Sequence, residues 1–548
     1  MSAAVSWGRY LFVVSACLLL KWTNGLANES SCRWAEPLSL ADYDGLLNSL
    51  RRSWDRYSED VIRERDHLLA GAADVLSVSS TKKRSSCADG GAPSGSCSGG
   101  QPLVDRFARH LRTRASRATE GLELNARTVL APLVDALEAG WEATADVSAI
   151  MRSGKCDLET DDALHHIRSD AHIWRHRDIP ACATISEKTE SSSSHNVDGI
   201  YMSFPDVLGH LVRDWSFPVA ETTVASYPTH ALDDRAAGFT SSMPGSVDQH
   251  YGAVVAALHD HVFGQADAMN AKKQTVRSVL VPGSGAGGLV HRIRTAANAA
   301  GQRLHVVATE CAPAMLALMR WMLFPRGGND PAEAPSTRSF VPWMSAFSNQ
   351  RLGTEDDQFA RYEFNRDRAK VEDEVGAARR TTTTVDVIYG DVFAEVVPDP
   401  QHRLVFDVVV LSYILDAAAR HHPGRDGTSR SSSSLLRTLR RIDQLVSPEG
   451  GLLLFMGPLQ YHDAAIEPKL SSEEVILYFT DVLEGYEMVE GPQCVAHPAA
   501  YTQVASQACR EASTTRCAGH ANARLRGMGW LIHAPDFFVL RKRQHGIE

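Results

Sequence analysis

The chain has 548 residues, of which 44% are hydrophobic and 7% aromatic, enough to bury real cores and too many for one simple domain. Its formal net charge of −10 excludes a nucleic-acid binder working through its overall field, because neutralising phosphates takes clustered Lys and Arg. Ten cysteines without a CxxC pair exclude zinc-ribbon and thioredoxin spacings and give no dense disulfide framework; no metal is expected.

At the N-terminus Arg9 precedes an apolar run from Leu11 to Leu20, followed by Lys21 and small residues up to Ala27. Residues 1–27 read as a signal peptide or an anchor, with a run short for a membrane span. Asn28-Glu29-Ser30 would be a glycosylation acceptor in a secreted chain. A start codon assigned too early in front of a cytosolic enzyme gives the same pattern, so the compartment stays open.

Residues 37–200 read as a helical region. From Leu38 to about Val78, the residues Leu46, Leu47, Leu50, Trp54 and Tyr57 recur at three- and four-residue spacing and share one face. From Leu103 to about Met151, Leu130, Leu133, Leu137 and Trp141 do the same. The polar stretches 79–100 and 186–196 cannot bury much surface and read as disordered insertions.

From Val276 short β-branched runs alternate with helical segments, the pattern of βαβ units and a parallel sheet. The runs are Ser278–Val281, His305–Ala308, Val385–Tyr389, Phe406–Leu411 and Gly451–Phe455. Charged Asp356–Arg380 and Ser-rich Thr428–Ser434 read as surface insertions, and Arg437, Arg440 and Arg441 as a solvated helix face.

The first run leads into Gly283-Ser284-Gly285-Ala286-Gly287-Gly288, a turn of small residues ahead of a helix. Glycine lets the backbone approach a bound nucleotide without a Cβ in the way. Gly283, Gly285 and Gly288 also fit the dinucleotide fingerprint GxGxxG, so a nicotinamide enzyme, or a turn holding no ligand, stays open. The second run leads to Glu310, whose carboxylate can accept hydrogen bonds from both ribose hydroxyls; a nicotinamide enzyme places an acid there too. After the third run, Asp391 offers a second carboxylate, either for an adenine amino group or as a helix cap. Two acids after successive strands fit a methyltransferase better than a dehydrogenase. The fourth run delivers Ser412, Tyr413 and Asp416 to the crevice beyond the strand ends, and the fifth leads to Tyr461 and His462 on the same rim.

Over residues 204–543 the chain resembles the carnosine N-methyltransferase family. The blocks that carry the resemblance are Val212-Arg213-Asp214-Trp215-Ser216, Leu280 to Gly285, Pro342-Trp343 with Phe347-Ser348-Asn349, Gly390-Asp391 and Leu415-Asp416. Gly450-Gly451, Gly457-Pro458-Leu459 with Tyr461-His462, Leu470-Ser471 with Glu473-Glu474, and Phe538 to Lys542 complete them. The resemblance implies a doubly wound, Rossmann-like α/β methyltransferase sheet with an N-terminal helical region packed over it. It also implies S-adenosylmethionine as cofactor and methyl transfer to an imidazole nitrogen of carnosine or a related histidine-containing dipeptide. Partners are then a small-molecule or dipeptide substrate, no nucleic acid and no metal, with a homodimer left open.

By the same resemblance, cofactor positions fall on His210, Arg213, Gly283, Gly285, Glu310, Asp391, Val392 and Ser412. Asp416 and His462 stand at catalytic and substrate-facing positions, and Tyr501 at a further substrate position. The chain departs from the family pattern in three of these: His210 replaces a glutamine, Ser412 a cysteine, and Val392 an aromatic residue, with Phe393 one place later. The family's C-terminal substrate tyrosines are not clearly retained around Trp530 to Asp536. The competing readings are a methyltransferase for another small amine or peptide, a nicotinamide-dependent oxidoreductase, and an interaction protein with a decayed site. The resemblance implies a cytosolic enzyme, in conflict with the signal-like N-terminus, because a lumenal methyltransferase would need its own supply of cofactor.

Overall fold

The computed structural model describes residues 35–86, 101–152, 173–176, 179, 182, 204–218, 251–263, 276–324, 337–341, 359, 361–365, 383–394, 404–412, 414–415, 432–457, 471–494 and 536–544. The chain starts with β1 (Ala35–Pro37) and α1 (Leu40–Ser86). Next come α2 (Gln101–Asn125), a π turn (Ala126–Leu130), α3 (Ala131–Arg152) and β2 (Trp174–His176). α4 (Phe204–Trp215) leads directly into β3 (Ser216–Pro218), and residues 251–258 are helical before a second π turn (His259–Phe263). The central stretch holds β4 (Arg277–Pro282), α5 (Gly288–Ala299), β5 (Leu304–Glu310), α6 (Pro313–Leu323), β6 (Thr337–Phe340), β7 (Tyr362–Asn365) and β8 (Thr384–Tyr389). The last part holds β9 (Val408–Ser412), α7 (Ser432–Leu445), β10 (Leu452–Gly457), α8 (Ser472–Leu477), β11 (Tyr486–Cys494) and β12 (Asp536–Lys542).

The α1 helix begins where Ser39 and Asp42 cap each other: Asp42 N–H donates to Ser39 Oγ at 3.2 Å and Ser39 N–H to Asp42 Oδ2 at 3.0 Å. Its predicted face is buried, with Tyr43, Leu46, Leu50 and Tyr57 in the larger core cluster. The helix continues to Ser86, eight residues into the stretch predicted to be disordered; residues 87–100 and 186–196 lie outside the described residues. Helical dihedrals at Asn125 and Ala131, on either side of the first π turn, make α2 and α3 one continuous helix with a bulge. Asn125, at the entry to that bulge, is fully buried and exchanges two hydrogen bonds with the backbone of Val341, at 2.8 and 2.9 Å.

All five predicted strand runs become strands, within a residue or two of their expected ends. They form a nine-stranded sheet in the order β1-β2-β8-β5-β4-β9-β10-β12-β11. From β4 the order runs one way through β5 to β8 and the other way through β9 to β10, the arrangement of a doubly wound sheet. Pairings among β8, β5, β4, β9 and β10 are parallel, and β12 is antiparallel to both neighbours. The helical N-terminal region also contributes strands, since β2 pairs with β8 and β1 with β2. A second sheet, β3-β7-β6, is antiparallel. Its middle strand falls inside the predicted surface insertion at 356–380, with Phe364 fully buried. The alternation Tyr362-Glu363-Phe364 buries every second residue, a two-residue period masked in the sequence by charged flanks. α7 likewise starts at Ser432, inside the Ser-rich stretch expected to be an insertion.

Among the described residues no helix is long and apolar enough to cross a membrane. The signal-like segment at 1–27 lies outside them.

Candidate functional site

Five parallel strands bring their carboxyl ends to one rim. β4 passes through Pro282 into the glycine turn, and Glu310 at the end of β5 is in register with Tyr389 at the end of β8. Ser412 closes β9 in register with Met456 of β10. The order of the sheet reverses between β4 and β9, where a doubly wound sheet opens its ligand crevice.

The turn is built from backbone. Gly283 has φ +58°, a left-handed conformation that other residues adopt only at a cost, and a Cβ there would collide with the side chain of Ile414. Buried Ser284 donates its hydroxyl to Val281 O at 2.6 Å and its N–H to Thr309 O at 3.1 Å, tying the turn to β5. The Gly285 N–H donates to Glu310 Oε2 at 2.9 Å. Glu310 Oε1 accepts from the N–H groups of Cys311 and Ala312 at 2.8 and 2.9 Å. The glutamate is thus buried, at 8% exposure, with three of its roughly four lone-pair sites engaged by backbone. Among the described residues no partner takes the remaining site on Oε2.

The other rim residues divide by environment. Asp391 is half-buried, and its Oδ1 accepts from the Phe393 N–H at 2.9 Å, a bond within a turn. Val392 is 1% exposed and belongs to the smaller apolar core, while its carbonyl accepts from Arg441 Nε at 3.0 Å. Arg441 therefore leaves the solvated face expected of its cluster. Ser412 is half-buried at the end of β9.

The last turn of α4 is fitted against the glycine turn. Trp215 Nε1 donates to Ala286 O at 2.9 Å, and a Cβ on Gly288 would lie 2.7 Å from Asp214 Cβ. The Asp214 carboxylate is fully buried and accepts from the Tyr251 hydroxyl at 2.9 Å, with His210 Nδ1 3.8 Å from its second oxygen. The imidazole of His210 thus faces Asp214. Arg213 stands in the same turn, directly before the two residues that touch the glycine segment, but its side chain lies outside the described residues, as do Asp416, His462 and Tyr501 altogether.

Sequence reasoning missed Asp214, Trp215, Tyr251 and a disulfide. The first two stand in the Val212–Ser216 block, where only Arg213 drew attention. Cys182 and Cys311 are joined, with Cα atoms 5.6 Å apart and 129 residues between them in sequence. No local spacing signals such a pair. Among the described residues no group of three or more His, Cys, Asp or Glu side chains could hold a metal ion.

The model of the carnosine N-methyltransferase family matches residues 247–509, from the helical segment before β4 to beyond β11. No curated protein matches the chain in sequence. Among solved structures, the chain is similar to a putative class I S-adenosylmethionine-dependent methyltransferase from Listeria monocytogenes, at 11% identity and a TM-score of 0.27. That match covers 55% of this chain and 61% of the Listeria protein. The plantazolicin methyltransferase BpumL, in complex with S-adenosylhomocysteine, matches at 9% identity and TM-score 0.26, covering 62% of this chain and 95% of that one. A methyltransferase from Geobacter sulfurreducens, also in complex with S-adenosylhomocysteine, matches at 13% identity and TM-score 0.25, covering 54% and 91%.

Proposed function

We propose that this chain, whose residues 247–509 match the carnosine N-methyltransferase family, is an S-adenosylmethionine-dependent methyltransferase that methylates an imidazole nitrogen of carnosine or a related histidine-containing dipeptide. The observation that carries this reading is that the family match falls on the strands that build the rim, with the glycine turn and Glu310 clasped together inside it.

The residues present suit an adenosine-bearing cofactor. The turn presents backbone instead of side chains, and Glu310 retains an acceptor site for a ribose hydroxyl. Gly283, Gly285, Glu310 and Asp391 would hold the cofactor, with Arg213 joining from α4. When bound, S-adenosylmethionine supplies an electrophilic methyl group on a positively charged sulfur. Asp416, four residues beyond the end of β9, accepts a hydrogen bond from one ring N–H of the substrate. The other ring nitrogen then keeps its lone pair free for the methyl carbon. The same carboxylate offsets the positive charge that develops on the ring, which afterwards releases the N–H proton. His462, five residues beyond β10, orients the imidazole or the peptide.

The test is transfer of a labelled methyl group from S-adenosylmethionine to carnosine by the full chain. Methylated carnosine is the expected product, and Asp416→Ala should lower turnover by about 100-fold or more while leaving S-adenosylhomocysteine affinity nearly unchanged. Undiminished turnover in that variant removes Asp416 from the mechanism. Cofactor binding without carnosine methylation moves the search to other amine acceptors, and absence of cofactor binding sinks the reading.

A further inference from the structure

We infer that the Cys182–Cys311 disulfide is a redox latch on the cofactor site: closed, it holds Glu310 in place for the ribose, and opened to two thiols it weakens cofactor binding. The inference rests on the reading of Glu310 as the ribose-binding residue.

The latch acts on the backbone that positions the acid. Glu310 Oε1 is held by the N–H groups of Cys311 and Ala312, the two residues that follow it. Cys311 is in turn bonded to Cys182, whose Sγ lies 4.0 Å from the Glu310 carbonyl oxygen. The far side of the bond is itself anchored. Cys182 is 3% exposed, and Ile179, three residues before it, is 1% exposed in the smaller core with Val307, Ile388 and Val392. The Ile179 N–H donates to the carbonyl of His176, the last residue of β2. In the sheet β8 lies between β2 and β5. The disulfide therefore reaches from the segment after β2 to the residue next to Glu310 and fastens the end of β5 from outside its own strand.

Opening the latch takes two electrons. A dithiol attacks one sulfur as thiolate, forms a mixed disulfide, and closes on itself with its second sulfur. Cys182 and Cys311 are left as thiols and the dithiol as a cyclic disulfide. The segment after Glu310 then loses its covalent tie to the segment after β2, and the carboxylate is held less firmly when the cofactor binds. That lost pre-organisation corresponds to a fall in affinity of roughly three- to ten-fold.

The experiment is calorimetric titration of S-adenosylhomocysteine into the full chain, air-oxidised and after dithiothreitol, with thiols counted by alkylation and mass. Cys182→Ser and Cys311→Ser provide permanently open forms, and their thermal transitions verify folding; should either fail to fold, the reduced wild-type chain carries the comparison. The expected result is weaker binding in every open form. The 2′,3′-dideoxy analogue of S-adenosylhomocysteine, which has no hydroxyl for Glu310, should bind the open and closed forms equally. Equal S-adenosylhomocysteine affinity in both states overturns the latch and leaves the ribose reading of Glu310 standing. Equal weakening of the analogue overturns the latch in favour of a general loosening. Absence of S-adenosylhomocysteine binding in both states overturns the Glu310 reading, and the latch with it. Alkylation of both Cys182 and Cys311, located by mass, in the air-oxidised chain also overturns the latch.

Discussion

Gly283 and Glu310 show how single residues set this site. Gly283 combines a left-handed backbone with contact against Ile414, so Gly283→Ala meets two separate penalties. A left-handed alanine costs about 1–2 kcal/mol and crowding of a packed side chain another 1–3 kcal/mol. Urea unfolding should show a loss of about 2–5 kcal/mol, together with weakened S-adenosylhomocysteine binding; a wild-type urea midpoint would mean that the turn tolerates a Cβ. The glycine turn was legible in the sequence because a strand, a small-residue turn and a helix succeed one another within a dozen residues. Glu310 was legible by its position after the second strand. What it does for the protein itself, clasping Gly285 and its own successors, was not, because those partners are backbone groups and carry no residue signature.

Elements were read well where their period was long and poorly where they were short. The α1 face was plain from Leu46, Leu47, Leu50 and Tyr57, whereas the three-residue strands β1, β2 and β3 are too brief to show any period. The join between the continuous α2–α3 helix and the second sheet was equally hidden. Asn125 sits in the middle of a helical pattern, a position that disfavours it, yet it supplies both a donor and an acceptor to Val341 at the end of β6. It also donates to the hydroxyl of Tyr57 on α1 at 3.3 Å. Asn125→Ala would strand a buried N–H and a buried carbonyl at once, at about 1–3 kcal/mol each. The urea midpoint of that variant should fall accordingly. A midpoint equal to wild type would show that the bulge and the second sheet are held by packing alone.

At the scale of the whole molecule, three buried tyrosines make stability depend on alkaline pH. Burial is the main cause that raises the phenol pKa of Tyr43, Tyr57 and Tyr486, and in Tyr486 the charge of Asp443 adds to it. In the unfolded chain each phenol ionises near pH 10, whereas the folded chain keeps its protons longer. Their contribution is therefore fully present below pH 10 and is lost as pH rises toward the folded-state values, by about 1.4 kcal/mol per pH unit for each tyrosine. Urea midpoints at pH 8 and pH 11 test this, and equal midpoints would contradict it. The doubly wound order was implied by the alternation of runs along the chain, but the joining of β1 and β2 to the same sheet could not be read from the sequence. Trp174 and Ile388 meet across more than two hundred residues, and nothing local to either encodes the pairing.

That pairing bears on how the chain can be divided. Residue 204, the natural place to cut by sequence resemblance, separates β2 from the strand it covers. A fragment begun there would uncover the outer side of β8 around Ile388, the residue that pairs with Trp174 of β2. Such a bare edge is a template for strand pairing between molecules and hence for aggregation. The N-terminal region thus shields this end of β8 from its own copies, and because it shares one core with the sheet the part from residue 204 on is not a detachable unit.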